Sequence, residues 1–458
     1  MESSPTVAAI STPLGAGAIG IVRMTGPEAI DICDRIFTGR RPLAEAASHT
    51  LNYGVILDPK TKEAVDEVLV GVMRSPASYT REDIVEVNCH GGPVVLQKIL
   101  SFFLDGGARL AGPGEFTRRA FLNGRLDLAQ AESVAQIIAA KTGAGLRVAM
   151  SQLGGGLSET IKSLRWSILN VLAAVEAGID FSDEDIEQLD KSEAEARLEQ
   201  INQQIGELVD TAFAGRVLNQ GVRTAIVGQP NVGKSSLLNA MLMRERAIVT
   251  EIPGTTRDTI EEVINVKGIP LLLIDTAGLR PYADTVEKIG VERSLRAMKE
   301  ADLILCLFDG SQRENDHDRA LLTSVPAEKT VYVINKCDKF RGRQPVFNLG
   351  LLPSQPVIIS ALTRQGLRDL TEKIAAAVLG GSIPPLENPI VTQERHLRLL
   401  TEASSFLNRA AQGLRVGLGE ELIAEELRSA LSALGEIIGE EFIDDLLDTI
   451  FHEFCIGK

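Results

Sequence analysis

The stretch GQPNVGKSS, Gly228–Ser236, permits few folds. Its spacing, G-x-x-x-x-G-K-[ST], makes a phosphate cradle only where a strand enters it and a helix leaves it. Both neighbours are legible: the apolar run RTAIV precedes it, and SSLLNAML follows with helical spacing. Gly228 and Gly233 let backbone N–H groups turn inward around phosphate oxygens. The helix N-terminus adds the positive end of its dipole. Lys234 then neutralises charge on the β- and γ-phosphates, and Ser235 offers a hydroxyl to magnesium. A strand–loop–helix unit of this kind belongs to a doubly wound α/β sheet.

Further apolar runs bear that out over residues 219–382: PLLLIDTAG, LILCLFDG, TVYVINKCD and PVIISAL, each closing in turn chemistry. They predict a mostly parallel sheet. In DTAG (Asp275, Thr276, Ala277, Gly278), Asp275 is placed to reach magnesium through water and the Gly278 N–H to sense a γ-phosphate. In NKCD (Asn335, Lys336, Cys337, Asp338), the carboxylate of Asp338 accepts from guanine N1 and N2, a pair of donors that adenine lacks. SAL (Ser360, Ala361, Leu362) falls where a contact to guanine O6 is expected. The loop TEIPGTTRD (Thr250, Glu251, Ile252, Pro253, Gly254, Thr255, Thr256, then Arg257 and Asp258) reads as a first switch. There Thr256 is the magnesium ligand of the triphosphate state, ordered while the γ-phosphate is present. With Asn231, Val232, Gly233, Lys234, Ser235 and Ser236 around the phosphates, the set resembles the translation-factor-like GTPases, which makes GTP the nucleotide.

One position departs from the Ras pattern. Leu279 follows DTAG where a water-orienting glutamine would stand. Asn231 and TEIPGTT together resemble the potassium-activated GTPases. That resemblance implies a potassium ion held by Asn231, the carbonyls of Thr250 and Ile252, and Thr255, replacing an arginine finger electrostatically.

The flanks differ in pattern. Residues 1–120 mix the strands AIGIVRM, DEVLVGVM and DIVEVN with the helices GPEAIDICDRIF and PVVLQKILSFFLDGG, an α+β domain. Helical spacing takes over in 121–218, where Ile161, Leu164, Ile168, Val171, Leu172 and Val175 share a face. It resumes in 383–458, with Ile443, Leu446, Leu447, Ile450, Phe451 and Phe454 as a second stripe. Both read as bundle core. The helical domain is therefore expected to be discontinuous, with 219–382 inserted into it. At 458 residues, about three domains is the ordinary number.

A net charge of −15 and a pI near 5.0 speak against a broad nucleic-acid surface, though not against a local basic patch. Five cysteines, at 33, 89, 306, 337 and 455, lack metal or disulfide spacing and suit reduced cytoplasmic thiols. The N-terminus has no leader pattern and no apolar stretch reaches bilayer length, so no membrane association is expected. CIGK makes a poor prenylation box, because Gly457 is not aliphatic and Lys458 is an unusual last residue.

GTTRD, DTAGLR, PGEFTRRAFLNGRLDLAQAE and the CIGK tail resemble the MnmE (TrmE) family of tRNA-modification GTPases. The resemblance runs over essentially the whole chain. It implies an N-terminal domain of folate-binding type that also makes a homodimer. It further implies an MnmG-type partner carrying FAD, in a heterotetramer or larger complex, and a (carboxymethyl)aminomethyl group added at carbon 5 of the wobble uridine of certain tRNAs. The one-carbon unit is then a reduced folate's, 5,10-methylene- or 5-formyl-tetrahydrofolate, and glycine or ammonium supplies nitrogen. By the same resemblance Glu287, in VEKIG, orients the attacking water. Arg23, Glu82, Arg125 and Lys458 contact folate, and Cys455 lends a thiol to the modification chemistry. Taken alone, Arg23, Glu82 and Arg125 read as surface or helix-end charges. An Era/Der-type assembly GTPase fits less well. Its domain after the GTPase is basic, whereas Glu420–Glu453 holds eleven carboxylates against the single Arg428.

Overall fold

The computed structural model of the chain describes residues 5–180, 191–245, 262–274, 296–340, 344–380, 385, 388–442, 444–452 and 454–458. The N-terminal part is a seven-stranded sheet. Its strands are β1 (Val7–Ile10), β2 (Gly17–Thr25), β3 (Phe37–Gly39), β4 (Thr50–Leu57), β5 (Ala64–Met73), β6 (Ile84–Gly91) and β7 (Arg109–Leu110). They lie in the order β3-β4-β5-β6-β2-β1-β7, antiparallel except for the β1–β7 pair. Strand alternation decides what each face meets. Along β6, Val85, Val87 and Cys89 are buried and Glu86, Asn88 and His90 point the other way. The buried side packs on α1 (Ala29–Asp34) and α2 (Pro93–Asp105) through Leu96, Ile99 and Phe103. The opposite side is covered at its β1 edge, where Val7 and Ala9 meet Phe116 of α3 (Glu115–Leu122).

Helices follow: α4 (Leu128–Ala139), α5 (Gly143–Leu153), α6 (Gly156–Asp180) and α7 (Lys191–Gln220). Asp127 starts α4 with a capping box, accepting from Gln130 N while Gln130 Oε1 accepts from Asp127 N.

The chain then enters a six-stranded sheet: β8 (Val222–Val227), β9 (Glu262–Val266), β10 (Ile269–Leu273), β11 (Leu303–Asp309), β12 (Thr330–Asn335) and β13 (Val357–Ile358), in the order β13-β12-β11-β8-β10-β9. All pairs are parallel except the β9–β10 hairpin. Helices α8 (Lys234–Glu245), α9 (Asp316–Ser324), α10 (Cys337–Phe340) and α11 (Leu367–Leu379) accompany it. Two apolar clusters, one containing Leu305 and Val333 and the other Cys306 and Ile334, show the central strands buried on both faces. Five of these strands are the apolar runs expected from sequence; β9, at one edge, is an addition.

Beyond the sheet come α12 (Glu394–Val416), α13 (Glu420–Ile438) and α14 (Asp444–His452). Ile161, Ile168 and Val175 of α6, Leu198 and Ile205 of α7, Leu400 and Leu407 of α12, and Leu427 and Leu434 of α13 share one core. Helices from before and after the α/β sheet therefore close on each other, and the helical domain is discontinuous. Its seam carries buried polar groups. Gln136 Nε2 donates to Thr392 Oγ1 (2.9 Å) and Gln152 Nε2 to the carbonyl of Ile390 (2.7 Å). Among the described residues, no helix is long and apolar enough to cross a membrane.

Candidate functional site

The phosphate loop leaves β8 at Gly228, whose φ is 152°, and a Cβ there would stand 2.5 Å from the Leu307 carbonyl. Gly233 has φ 103°, and its Cβ would meet Asn335 Nδ2 at 2.2 Å. Both positions require glycine on space as well as on conformation. Asn231 is exposed in the left-handed region at φ 64°. Lys234 Nζ donates to the carbonyls of Gly228 and Gln229 (2.8 Å each), spanning its own loop. Desolvation by burial pushes the Lys234 ammonium below its ordinary pKa. Ser235 and Ser236 are exposed in the first turn of α8.

Asn335 ties the loop to the base-recognition segments. Its Nδ2 donates to the Val232 carbonyl (2.8 Å) and its Oδ1 accepts from Ala361 N (2.9 Å). Ser360, fully buried, donates through Oγ to Asp338 Oδ1 (2.5 Å) and fixes that carboxylate. Lys336 sits at φ 68° with its ammonium on Asp309 Oδ2 (2.7 Å). Leu362 is exposed. The fold thus brings Val232, Gly233, Lys234, Asn335, Lys336, Asp338, Ser360 and Ala361 together at the strand C-terminal ends, where doubly wound sheets bind ligands. Thr250, Glu251, Ile252, Pro253, Gly254, Thr255 and Thr256, together with Asp275, Thr276, Ala277, Gly278 and Glu287, lie outside the described residues.

The second assembly lies at the chain terminus. Phe451 and Phe454 pack against Gly114, which leads into α3. The tail then runs beside α3: Ile456 bridges to Pro113, and Phe116 N donates to the Lys458 carbonyl (3.1 Å). Gly457 turns at φ 92°, and a Cβ there would lie 2.6 Å from the Ile10 carbonyl. Its own carbonyl accepts from Ser11 Oγ (3.2 Å) and Arg23 Nη1 (3.4 Å). Arg23 also pairs with Glu86 (2.6 Å). Lys458 is part-buried, and desolvation, then the neighbouring Arg23 cation, push its ammonium below the ordinary value against the pull of Glu86. Cys455 is exposed.

Thr25, two residues past Arg23 and so on the same side of β2, donates to Glu82 Oε2 (3.1 Å). Arg119 Nη1 donates to the same oxygen (2.9 Å). Arg125 is set apart. Its guanidinium lies 4.7 Å from the Tyr79 ring centre, in a cleft of about 510 Å³ lined also by His49, Met73, Pro76 and Arg81. Among the described residues, no hydrogen bond or ion pair joins Arg125 to Arg23, Glu82 or Lys458. The sequence reading missed Glu86 and Arg119. Arg119 is buried between Glu82, Glu115 and the Pro5 carbonyl. It stands three residues after the buried Phe116, a helical spacing that placed it on the inner face.

A glycine-bounded phosphate loop, the NKCD and SAL loops bonded to it and each other, and a sheet spliced into a helical domain define a P-loop GTPase. The family model described as the MnmE helical domain matches residues 128–455, and that of the GTP-binding protein TrmE N-terminus matches 6–125. The tRNA modification GTPase MnmE of Ligilactobacillus salivarius (strain UCC118) is 46% identical over 455 residues, covering 99% of this chain and 98% of the relative. That of Geobacillus kaustophilus (strain HTA426) is 45% identical over 463 residues, covering 100% of both. Among solved structures, the G domain of the T. maritima FeoB iron transporter is 28% identical, covering 34% of this chain and 98% of that one, with a TM-score of 0.25. The chain belongs to the MnmE family of tRNA modification GTPases.

Proposed function

We propose that the chain hydrolyses GTP to GDP and phosphate under potassium activation. With an FAD-containing MnmG-type partner, it adds a (carboxymethyl)aminomethyl group at carbon 5 of the wobble uridine of certain tRNAs, using a reduced-folate one-carbon unit. The observation that carries this reading is the docking of the tail on the N-terminal sheet, with Gly457 O on Arg23 and Ser11. It sets an exposed thiol, an ammonium and a guanidinium at one surface, apart from the nucleotide loops. Two chemistries in one chain are what the family name implies.

In the nucleotide half, Lys234 exchanges its two carbonyl partners for phosphate oxygens, and its desolvation makes an anion the better partner. Ser235 and Thr256 would hold magnesium, which supplies charge neutralisation between β- and γ-phosphates. Asn231, Thr250, Ile252 and Thr255 would hold potassium, which supplies electrostatic stabilisation of the transition state. The exposed, left-handed Asn231 fits that use. Asp338, oriented by Ser360, reads guanine, while Asp275 would reach magnesium through water, the Gly278 N–H senses the γ-phosphate and Glu287 orients water.

In the modification half, Arg23, Glu82, Arg125 and Lys458 would hold the folate, which supplies the one-carbon unit. Among the described residues both donors to Glu82 reach Oε2, so Oε1 is the acceptor left for a pterin edge. Lys458 faces the glutamyl carboxylates and Cys455 lends its thiol. Exposed Ile19, Leu51, Tyr53 and Leu69 on the N-terminal strands support a homodimer through that domain. The division into 1–120, 121–218, 219–382 and 383–458 and a cytoplasmic location belong to the same reading. Mass spectrometry of wobble uridine from a deletion strain, with and without this chain restored, tests it. The modified nucleoside should vanish and return; an unchanged profile on deletion overturns the proposal.

A further inference from the structure

Thr142 sits in the turn between α4 and α5, in the helical domain, yet its hydroxyl reaches the inserted sheet. Thr142 Oγ1 donates to the carbonyl of Gly268 (2.9 Å), in the turn of the β9–β10 hairpin. The same oxygen accepts from Gly145 N (3.2 Å) and so caps α5. The residue is 7% exposed, so the bond is shielded from water. We propose that Thr142 is a positioning residue for GTP hydrolysis in the inserted domain, acting through this hairpin.

The hairpin lies at the margin of its sheet, and its turn is tied to the helical domain. Among the described residues β9 is the outermost strand and pairs with β10 alone. β10 in turn meets β8 through Leu271–Leu273 against Val222–Thr224, extended by Ile274 N to the Thr224 carbonyl (3.0 Å). Ile264, Val266, Ile269, Leu271 and Leu273 seat the hairpin on the core beneath α8 and α11, and the grip on the turn fixes its outer end. Lys267 and Gly268 form that turn at φ 51° and 92°, and Gly268 N donates to Asn265 Oδ1 (2.8 Å). A second grip, Lys267 Nζ to Glu372 at 3.6 Å, is about half exposed and correspondingly weak. Thr142 is the buried one.

The post is firm. Gly145 lies so close to the Leu218 carbonyl that a Cβ would stand 2.7 Å from it, and Ala144 and Val148 pack with Leu218 and Ile390. The other ends of the two strands lead by sequence to segments expected at the nucleotide: TEIPGTTRD precedes β9 and DTAG follows β10. A hairpin released at its turn aligns those segments less often, which lowers turnover. GDP is held chiefly by the phosphate loop and the NKCD and SAL segments, which leave β8, β12 and β13, so its affinity stays.

The test compares full-length variants by steady-state GTP turnover, GDP affinity and thermal midpoint. Thr142→Ser keeps both the cap and the bond, and kcat should stay within about twofold. Thr142→Val removes both. Thr142→Asp keeps an acceptor for Gly145 N and removes the donor to Gly268. Both should lower kcat roughly three- to tenfold, with GDP affinity within about twofold. They should also speed amide exchange in 262–273. Wild-type kcat in Thr142→Val and Thr142→Asp overturns the proposal, as does a loss of GDP affinity in step with kcat. Should Thr142→Val not fold, Thr142→Asp decides alone.

Discussion

Arg23 Nη1 donates to the carbonyl of Gly457, joining residues 434 positions apart and seating the last turn of the chain on the second strand. Gly457 is required there twice, by its φ of 92° and by the Ile10 carbonyl 2.6 Å from where a Cβ would lie. Gly457→Ala should therefore undock the tail, at a local cost of about 1–3 kcal/mol. Amide exchange at Phe116, whose N–H the Lys458 carbonyl accepts, should quicken while the rest of α3 stays protected.

The same geometry separates two activities. Cys455→Ser and deletion of Lys458 touch neither the phosphate loop nor the base-reading segments. GTP turnover should stay within about twofold of wild type. Wobble-uridine modification should fall tenfold or more by roughly the cost of a lost catalytic group. Loss of turnover in either variant would contradict that division of labour.

Asn335 bonds the phosphate loop to the SAL segment through both ends of its amide. Asn335→Ala strands the Val232 carbonyl and Ala361 N–H, each at about 1–3 kcal/mol if left unpaired. GDP affinity should drop at least roughly tenfold, since about 1.4 kcal/mol is one decade. Calorimetric titration with GDP reads it directly. An unchanged affinity would mean that the two loops hold their places without the bridge.

Periodicity reports burial, and what was legible follows from that. TVYVIN is buried along its whole length, so the run announces β12. EVINV is interrupted by polar positions and follows a polar stretch of sequence, so β9 sent no such signal. The stripe on α6 predicted its buried face residue by residue. Partners are a different matter. Spacing puts Arg119 on the inner face of α3, but nothing in TRRAF names Glu82 as its partner or Asp448 as the partner of Arg118. Nor could the sequence pair Arg23 with Glu86, since neighbours across β2 and β6 are set by register. The glycines of the phosphate loop were legible because their role is local. Thr142 was not, because its partner lies in another domain.

Potassium activation makes a simple kinetic demand. At matched ionic strength, GTP turnover should be roughly ten- to a hundredfold faster in potassium than in sodium. Asn231 stands exposed in the left-handed region, a conformation that asparagine adopts more readily than most residues. Asn231→Ala should bring the potassium rate down to the sodium rate. Equal wild-type rates in the two salts would remove the potassium assignment and leave the GTPase intact.

The seam of the helical domain should be acid-sensitive in a defined window. Glu132 on α4 accepts from His396 Nε2 (2.7 Å) and from Arg395 Nε (3.0 Å) on α12. Arg395 also donates to the carbonyls of Glu436 (2.8 Å) and Ile437 (3.1 Å) at the end of α13. Burial alone would raise the Glu132 carboxyl, but the contacts from His396 and Arg395 outweigh it and hold the pKa at about 2, against an ordinary 4.5. A carboxyl depressed in the folded state stabilises it above the unfolded pKa and stops doing so as pH falls through the folded one. The contribution is therefore complete above pH 4.5 and fades toward pH 2. Glu132→Gln leaves a buried guanidinium without its anion and should cost roughly 3–5 kcal/mol at neutral pH. Denaturant melts of the two proteins should show the gap narrowing as pH drops from 4.5 toward 2. A gap that stays constant over that range would mean Glu132 is not held ionised by this pair.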